Sequence, residues 1–375
     1  MPVEALTRCE TAYDLLEDFA FHYGRCYDSY LALEPGRECF WSAERLGAIS
    51  YVRSGRYLHA SGGLLAADEH KESLLGQFVA FADAHDLHPT FYNLTDGDLP
   101  LVRQHGFQAT KWGEESLIDL AHCTWEGKAF EWVRRQSNYC RRQGLVFSEA
   151  DRDGLSPGDW AGVMRQINEV WPAPLAGKPQ TGEIQFLEGS FDPSRIGRKR
   201  IFLATADEGQ GRIEGILVAN PAAGGTTWVF ETYRHRPDAP RGCVSFLMHQ
   251  ALVAMQAEGV PAVSLCLVPG LGCDRPLAGD SSLARWGLVI GSRYANFIFD
   301  SAGLYHFKTR FRPRFEARYL CARPRVTPGS FWSFIKVLGV LNLDVRKLAH
   351  VIGHQLSKAG SRATLSTAKK APAAS

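Results

Sequence analysis

Two hydrophobic periods alternate along this chain, one near 3.6 residues and one of 2, and their succession predicts its elements. An amphipathic helix over residues 11–23 precedes three short strands at 39–41, 48–53 and 57–63. A long helix over 69–85, a strand at 90–93, a short helix around 99–105 and a strand pair at 108–112 and 116–120 follow. A helix from about 129 to 143, stopped by Gly144, then leads into a second run. That run reads as a strand at 145–150, a helix over 157–170 with Ser156 as N-cap and Pro157 at its first position, and an irregular stretch over 171–197 rich in Pro and Gly. Strands at 201–206, 212–220 and 226–233, a helix over 244–258, a strand at 262–268 and a helix at 281–286 complete it. Three strands, a helix and a strand thus recur in both halves. The expectation is an α/β (α+β) protein with mixed sheets and a duplication visible in element order rather than in residues.

The stretch 303–320, GLYHFKTRFRPRFEARYL, reads as an extended strand. It sets Phe307, Phe311 and Phe315 on a core side and Lys308, Arg310, Arg312 and Arg314 on the other. Four cations about 7 Å apart suit a polyanion or the oxygens of a bulky substrate. Pro313 restricts such a strand to a sheet edge, where Lys, Arg and Pro also serve to block aggregation, and Arg312 and Arg314 fit that protective role best. A second basic cluster lies on the helix 129–143. There Lys128, Arg134, Arg135, Arg141 and Arg142 oppose Glu131 alone, with Phe130, Val133 and Ser137 on the covered side. A solvated connecting helix and a phosphate-binding helix both fit it.

Composition narrows the field. With 375 residues, 45% hydrophobic and 22% charged, the chain fills ordinary cores, and a net charge of +2 implies no polyanion partner beyond the local clusters. Nine cysteines without CxxC or Cys/His ligand spacing read as buried thiols of a reducing cytosol, and no metal site is expected. The first residues lack a signal-peptide core and no window is long and apolar enough to span a bilayer. Residues 330–356 read as one helix with Phe331, Phe334, Ile335, Leu338, Val345, Leu348 and Ile352 at helical spacing, either docked on the body or lying in a membrane interface; 357–375 reads as a disordered tail. The histidines form no HExxH or paired set, GCVSF is no nucleophile elbow, and PGLGCD (269–274) is too short for a dinucleotide fingerprint.

Five segments taken in order carry a resemblance: GFQATKWGEESLIDL (106–120), the basic helix ending RRQGLVF, EIQFLEGSFD (183–192), FETYRHRPDAPRG (230–242) and LYHFKTRFRPRFEARYL (304–320). Together, from about residue 40 to 322, they resemble the C-terminal domain of the phosphatidylglycerol lysyltransferases. That family transfers an amino acid from aminoacyl-tRNA to a lipid hydroxyl on two tandem GNAT-type acyltransferase folds joined by a basic helix. The resemblance implies a first domain over 1–124, the connecting helix at 125–144 and a second, catalytic domain over 145–325; the spacing places a C-terminal helix at 328–356. It also implies aminoacyl-tRNA and a lipid or small hydroxyl or amine acceptor as partners, no DNA and no cofactor, and a cytoplasmic protein peripheral to the inner membrane face. The family's membrane-spanning half is not seen in this sequence, so the acceptor is expected to be met from the cytosolic side.

Residue by residue, the resemblance makes Glu231, Arg234 and Lys308 the catalytic candidates. Glu231 serves as general base or ammonium ligand, and the two cations serve the terminal phosphates or the developing negative charge. Where the family has an Asp, two apolar residues and an Arg, this chain has Glu231, Thr232, Tyr233 and Arg234. Trp112, Glu114, Tyr233, Asp238 and Arg310 are the substrate-binding candidates, although burial of Trp112 and a turn role for Asp238 also fit. Arg134, Arg135, Arg141, Arg142 and Arg312 are those for tRNA. An acyl-CoA-dependent N-acyltransferase and a non-catalytic tRNA- or membrane-binding module are the competing readings. The first lacks the QxxGxG/A cradle for pyrophosphate at either helix start, around GGLLAADEHK or APRGCVSF.

Overall fold

The computed structural model describes residues 12–150, 157–170, 186, 189, 195–206, 211–275, 277–294 and 301–339. The first half contains α1 (Ala12–Tyr23), β1 (Glu38–Trp41), β2 (Gly47–Ser54), β3 (Tyr57–Ala60), β4 (Leu65–Ala66), α2 (Lys71–Ala84), β5 (His88–Leu94), α3 (Leu99–Gln104) and β6 (Gln108–Asp119). After α4 (Glu131–Arg142) come β7 (Val146–Glu149), α5 (Pro157–Val170), β8 (Arg200–Thr205), β9 (Ile213–Ala222), β10 (Thr227–His235), α6 (Cys243–Ala257) and β11 (Ala262–Pro269). The chain then runs through α7 (Ser282–Tyr294), α8 (Ser301–Thr309), β12 (Arg314–Ala322) and α9 (Pro328–Val337).

The strands of the described residues join one mixed sheet in the order β1-β2-β3-β5-β12-β6-β11-β10-β9-β8-β7, with β4 paired to β2. The order contains an exchange. β6, the last strand of the first run, pairs with β11 of the second, while β12, the last strand of the second, pairs with β5 of the first. The two exchanged strands pair with each other, antiparallel, at the centre of the sheet.

Each half repeats one device around this centre. A crossover through α2 makes β3 and β5 parallel, and one through α6 does the same for β10 and β11. The first pairing ends at Ala60–Phe91 and the second at Val229–Ser264. Two residues further on, Asn93 and Cys266 both adopt left-handed backbone, with φ of 63° and 65°. Both lie where the register with the exchanged neighbour shifts, so the parallel strands part at matching points. Separate cores back the two halves. One gathers Leu58, Leu75, Phe78 and Phe91 under α2, and the other Phe202, Phe230, Phe246 and Leu252 under α6. On α4 the covered side is Val133, Ser137 and Cys140, and Ser137 Oγ lies 2.7 Å from His249 Nδ1 on α6.

Several expectations are corrected. The strand pair at 108–120 is the single strand β6, because Gly113 does not turn the chain. It lets β6 pass so close to β11 that a Cβ there would lie 2.5 Å from the Val268 carbonyl oxygen. Residues 303–320 are not one edge strand. Residues 301–309 are helical, Arg312 turns with φ of 55°, and β12 begins only after Pro313, which spares that proline from the ladder and allows the strand to be central. The helix expected at 281–286 runs on to Tyr294. The helix expected over 330–356 ends at Val337 with Gly339 left-handed (φ 69°), and its described part docks on the body through Ser330, Ser333, Phe334 and Leu338. Ser156, most of 171–197 and the tail from 340 lie outside the described residues.

The exchanged pair carries a buried ion pair. Arg318 on β12 donates from Nε to Glu115 Oε2 on β6 at 2.6 Å, and the two residues are 4% and 3% exposed. Removing one partner leaves an uncompensated buried charge, so Arg318→Met alone is expected to lower urea-unfolding stability by about 3–5 kcal/mol. The double variant Glu115→Leu/Arg318→Met is expected to recover most of that loss in the same measurement.

Candidate active site at the parted strands

The wedge between β10 and β11 is lined by groups that the backbone irregularities deliver. On β10, Phe230 pairs with Ala219 and Thr232 with Val218, which leaves Glu231 as an extra residue outside the ladder. A bulge of this kind re-aims a side chain, and here it occurs two residues after the parallel pairing stops. Asn220 on β9 donates from Nδ2 to Glu231 Oε2, and the Gly189 amide donates to Oε1 at 3.2 Å. A Cβ on Gly189 would fall 3.1 Å from Glu231 Oε2 and 3.2 Å from Glu34 Oε1, so this glycine is what lets two carboxylates share one spot.

Charge around Glu231 is dense. Lys199 Nζ lies 3.9 Å from Glu34 Oε1. Arg37 donates to Ser61 Oγ and to the Phe186 carbonyl at 3.0 Å, with its guanidinium 5.2 Å from the centre of the Phe186 ring. Asp28, 1% exposed, accepts from Asn93 Nδ2 at 2.8 Å. Three carboxylates therefore face two cations. Burial pushes Glu231 up to about 7; Glu34 and Asp28 add to the shift, and Lys199 and the Asn220 amide oppose it. Burial likewise lifts Asp28 to about 6 against the pull of Asn93.

Lys308, at the end of α8, points into the fold at 3% exposure. Its Nζ donates to the Cys266 carbonyl at 3.0 Å and the Leu267 carbonyl at 2.9 Å. Those are carbonyls at the β11 irregularity, and the ammonium shares the Cys266 carbonyl with Ser116 Oγ, which donates to it at 2.8 Å. Burial lowers its pKa to about 8. Lys308 is thus no member of an exposed cation row.

The remaining candidates are dispersed. Tyr233 and Arg234 follow Glu231 on β10; Arg234 Nη1 donates to the Tyr233 carbonyl at 3.1 Å, and the Tyr233 ring lies 6.4 Å from that of Phe307. Trp112 packs edge-on against Tyr92 and Phe334, at 5.9 and 5.7 Å, and its buried Nε1 has no hydrogen-bond partner among the described residues. Glu114 is engaged by Lys111 at 2.6 Å, beside Gly272 of the 269–274 loop. Asp238 is exposed and paired with Arg212 at 2.7 Å, away from the cluster around Glu231. Arg310 lies over the Trp132 ring at 5.3 Å, and Arg312 Nε donates to the Ala129 carbonyl at 3.3 Å. Two basic clusters far apart in sequence therefore meet on one surface. Within it Arg134 is tied to the Trp125 and Gly127 carbonyls, at 2.7 and 2.8 Å, and Arg141 to Gln250 at 2.7 Å, while Arg135 and Arg142 are exposed.

Sequence reasoning does not reach Asp28, Glu34, Arg37, Lys199 or Asn220. One signal exists for Asn220, a buried amide in a strand, IEGILVANPA, buried at every position. Among the described residues no group of three or more potential ligands is placed to hold a metal ion.

The family model for the C-terminal part of phosphatidylglycerol lysyltransferase matches residues 19–322. Among curated proteins, the phosphatidylglycerol lysyltransferase of Bacillus subtilis is 23% identical over 295 residues, covering 79% of this chain and 33% of that protein. That of Staphylococcus haemolyticus is 23% identical over 351 residues, covering 90% and 38%. The chain thus spans about a third of the length of the curated relatives it matches. Among solved structures, L-PGS from Bacillus licheniformis aligns with a TM-score of 0.72 at 19% identity, covering 86% of this chain and 95% of that one. The C-terminal domain of a protein described as a lysylphosphatidylglycerol synthetase from Agrobacterium fabrum aligns with 0.69 at 22%, covering 86% and 94%. These likenesses place the fold, and the match over 19–322 places the chain in the family of phosphatidylglycerol lysyltransferase C-terminal domains.

Proposed function

We propose that this chain transfers an aminoacyl group from aminoacyl-tRNA to a hydroxyl of phosphatidylglycerol or a closely similar lipid, with Glu231 as general base. The observation that carries the reading is a carboxyl raised to about 7 on a bulge at the mouth of a wedge, beside two further buried acids. The aminoacyl ester is already activated, so no nucleotide is consumed. Glu231 takes the proton of the attacking hydroxyl as its oxygen adds to the ester carbonyl. The tRNA ribose oxygen then leaves with that proton, and one ester replaces another. The excess of carboxylate among Asp28, Glu34 and Glu231 suits the ammonium of the amino acid. Lys308 acts by keeping the wedge open, and Arg234 is the cation on the same strand that meets developing negative charge. The merged basic surface of Arg134, Arg135, Arg141, Arg142, Arg310 and Arg312 follows the tRNA backbone. In this reading the fold is a tandem of two GNAT-type halves, and the domain limits at 124, 144 and 325 mark lengths of sequence rather than separate sheets, because β6 and β12 each pair with a strand of the other half.

Incubating the protein with a panel of radiolabelled aminoacyl-tRNAs and phosphatidylglycerol is expected to give a labelled lipid with at least one donor. No product with any donor overturns the reading. Glu231 loses its proton as pH rises through about 7, so single-turnover transfer is expected to climb about tenfold per pH unit below that value and level off above it. Glu231→Gln is expected to remove this limb and lower the rate by about 10²–10⁴.

Replacing Arg135 and Arg142 by Gln is expected to weaken tRNA binding and to reduce its log–log salt slope by roughly 1 for each phosphate left without its cation. An unchanged slope in filter binding contradicts their role.

A further inference from the structure

The two most exposed large apolar side chains among the described residues are tryptophans, Trp286 on α7 at 60% and Trp332 on α9 at 53%. Exposed tryptophan on that scale marks an interaction surface. The two belong to one face. On α9, Ser330, Ser333 and Phe334 are buried against the body, which turns Trp332 and Lys336 outward. On α7, Ser281 at its start and Ala284 are buried, which turns Ser282 and Trp286 outward. The helices touch along their flanks, where a Cβ on Gly287 would lie 2.5 Å from the Phe331 ring. Leu277, 47% exposed, adds an apolar group in the turn before α7.

The charge beside Trp332 is positive, while before α7 Asp280 is neutralised by Arg285 at 3.2 Å and Asp274 stands exposed. Lys336 Nζ lies 5.9 Å from the centre of the Trp332 ring, and Arg325 is exposed just before α9. In sequence, the residues after Gly339 carry Arg346, Lys347, Lys358, Arg362, Lys369 and Lys370 against Asp344 alone, and they lie outside the described residues. Exposed amphipathic indole rings on adjoining helices, one of them beside a long cation, match the boundary of an anionic bilayer, where the ring sits at headgroup depth and the ammonium remains among the phosphates. We infer that the α7–α9 ridge is a membrane-docking surface that inserts Trp286 and Trp332 into the headgroup region of anionic lipid. The ridge also reaches inward: Phe334 on the opposite side of α9 packs on Phe186, at 5.9 Å between ring centres, and the Phe186 carbonyl holds Arg37 in the charged cluster. A lipid-bound α9 therefore rests directly on the wall of the candidate site. Docking itself requires no transfer chemistry.

The full chain is tested by co-sedimentation with vesicles of phosphatidylcholine alone and of phosphatidylcholine mixed with phosphatidylglycerol. Binding to the anionic vesicles is expected, with a blue shift of tryptophan emission and quenching by brominated lipid. The Trp286→Ser/Trp332→Ser variant, its fold checked by circular dichroism and thermal melting, is expected to bind at least tenfold more weakly and to lose the quenching. Its transfer to detergent-dispersed lipid is expected to equal wild type. Undiminished vesicle binding by the folded double variant, or equal wild-type binding to uncharged vesicles, overturns the inference. So does a wild-type dimer on size exclusion that the double variant dissociates, since the ridge then covers a second copy. Vesicle docking without aminoacyl transfer sinks the proposed activity and leaves the ridge assignment standing.

Discussion

The exchange of last strands at the centre of the sheet is the constraint on which the rest of this structure depends. β5 has β12 as its neighbour and β11 has β6, so neither half possesses a complete sheet of its own. At the join, the Glu115–Arg318 pair sits where a register slip would bury one charge against backbone. Such a pair is a poor source of net stability compared with well-packed apolar groups, and it strongly penalises wrong pairing. The halves are consequently fixed in relation to one another by backbone hydrogen bonds rather than by a face that could slide.

That rigidity is what permits the chemistry. Asn93 and Cys266 mark matching points at which the parallel strands part, and Asn93 itself donates to Asp28 of the charged cluster. At the parted pair, side chains donate to the β11 carbonyls: Ser116 Oγ to Cys266 at 2.8 Å, and the Lys308 ammonium to both Cys266 and Leu267. The cluster draws on the segment after α1 for Asp28, Glu34 and Arg37, on β9 for Asn220 and on β10 for Glu231. Only a sheet continuous across both halves brings these groups into one cluster. Their mutual repulsion, added to burial, holds Glu231 near neutrality instead of in the ordinary carboxylate range.

Regular elements are legible where one period excludes the other. The helix 157–170 and the covered side of α4, with Val133 and Ser137, follow directly from spacing. The stretch 303–320 misleads because Phe307, Phe311 and Phe315 stand four apart, a spacing that places residues on one face of a strand and of a helix alike. Only the turn at Arg312 and the tertiary demand for a central β12 separate the two. β6 reads as two strands because Gly113-Glu114-Glu115 looks like a polar turn; what makes Glu115 acceptable inside a sheet is Arg318, 203 positions along the chain. Glu231 is reached through family resemblance, whereas Asp28, Glu34 and Arg37 carry no local pattern and acquire meaning only from strand order.

Strand exchange also dictates the order in which the molecule is completed. When residues 12–119 have left the ribosome, β5 and β6 exist but the strand that belongs between them, β12, is still about two hundred residues from being made. Until then one edge of β5 and both edges of β6 stand unpaired, a template for wrong partners. Its long-range pairing makes assembly slow by topology alone, and a nascent chain that stalls or is truncated before Ala322 cannot close its own sheet.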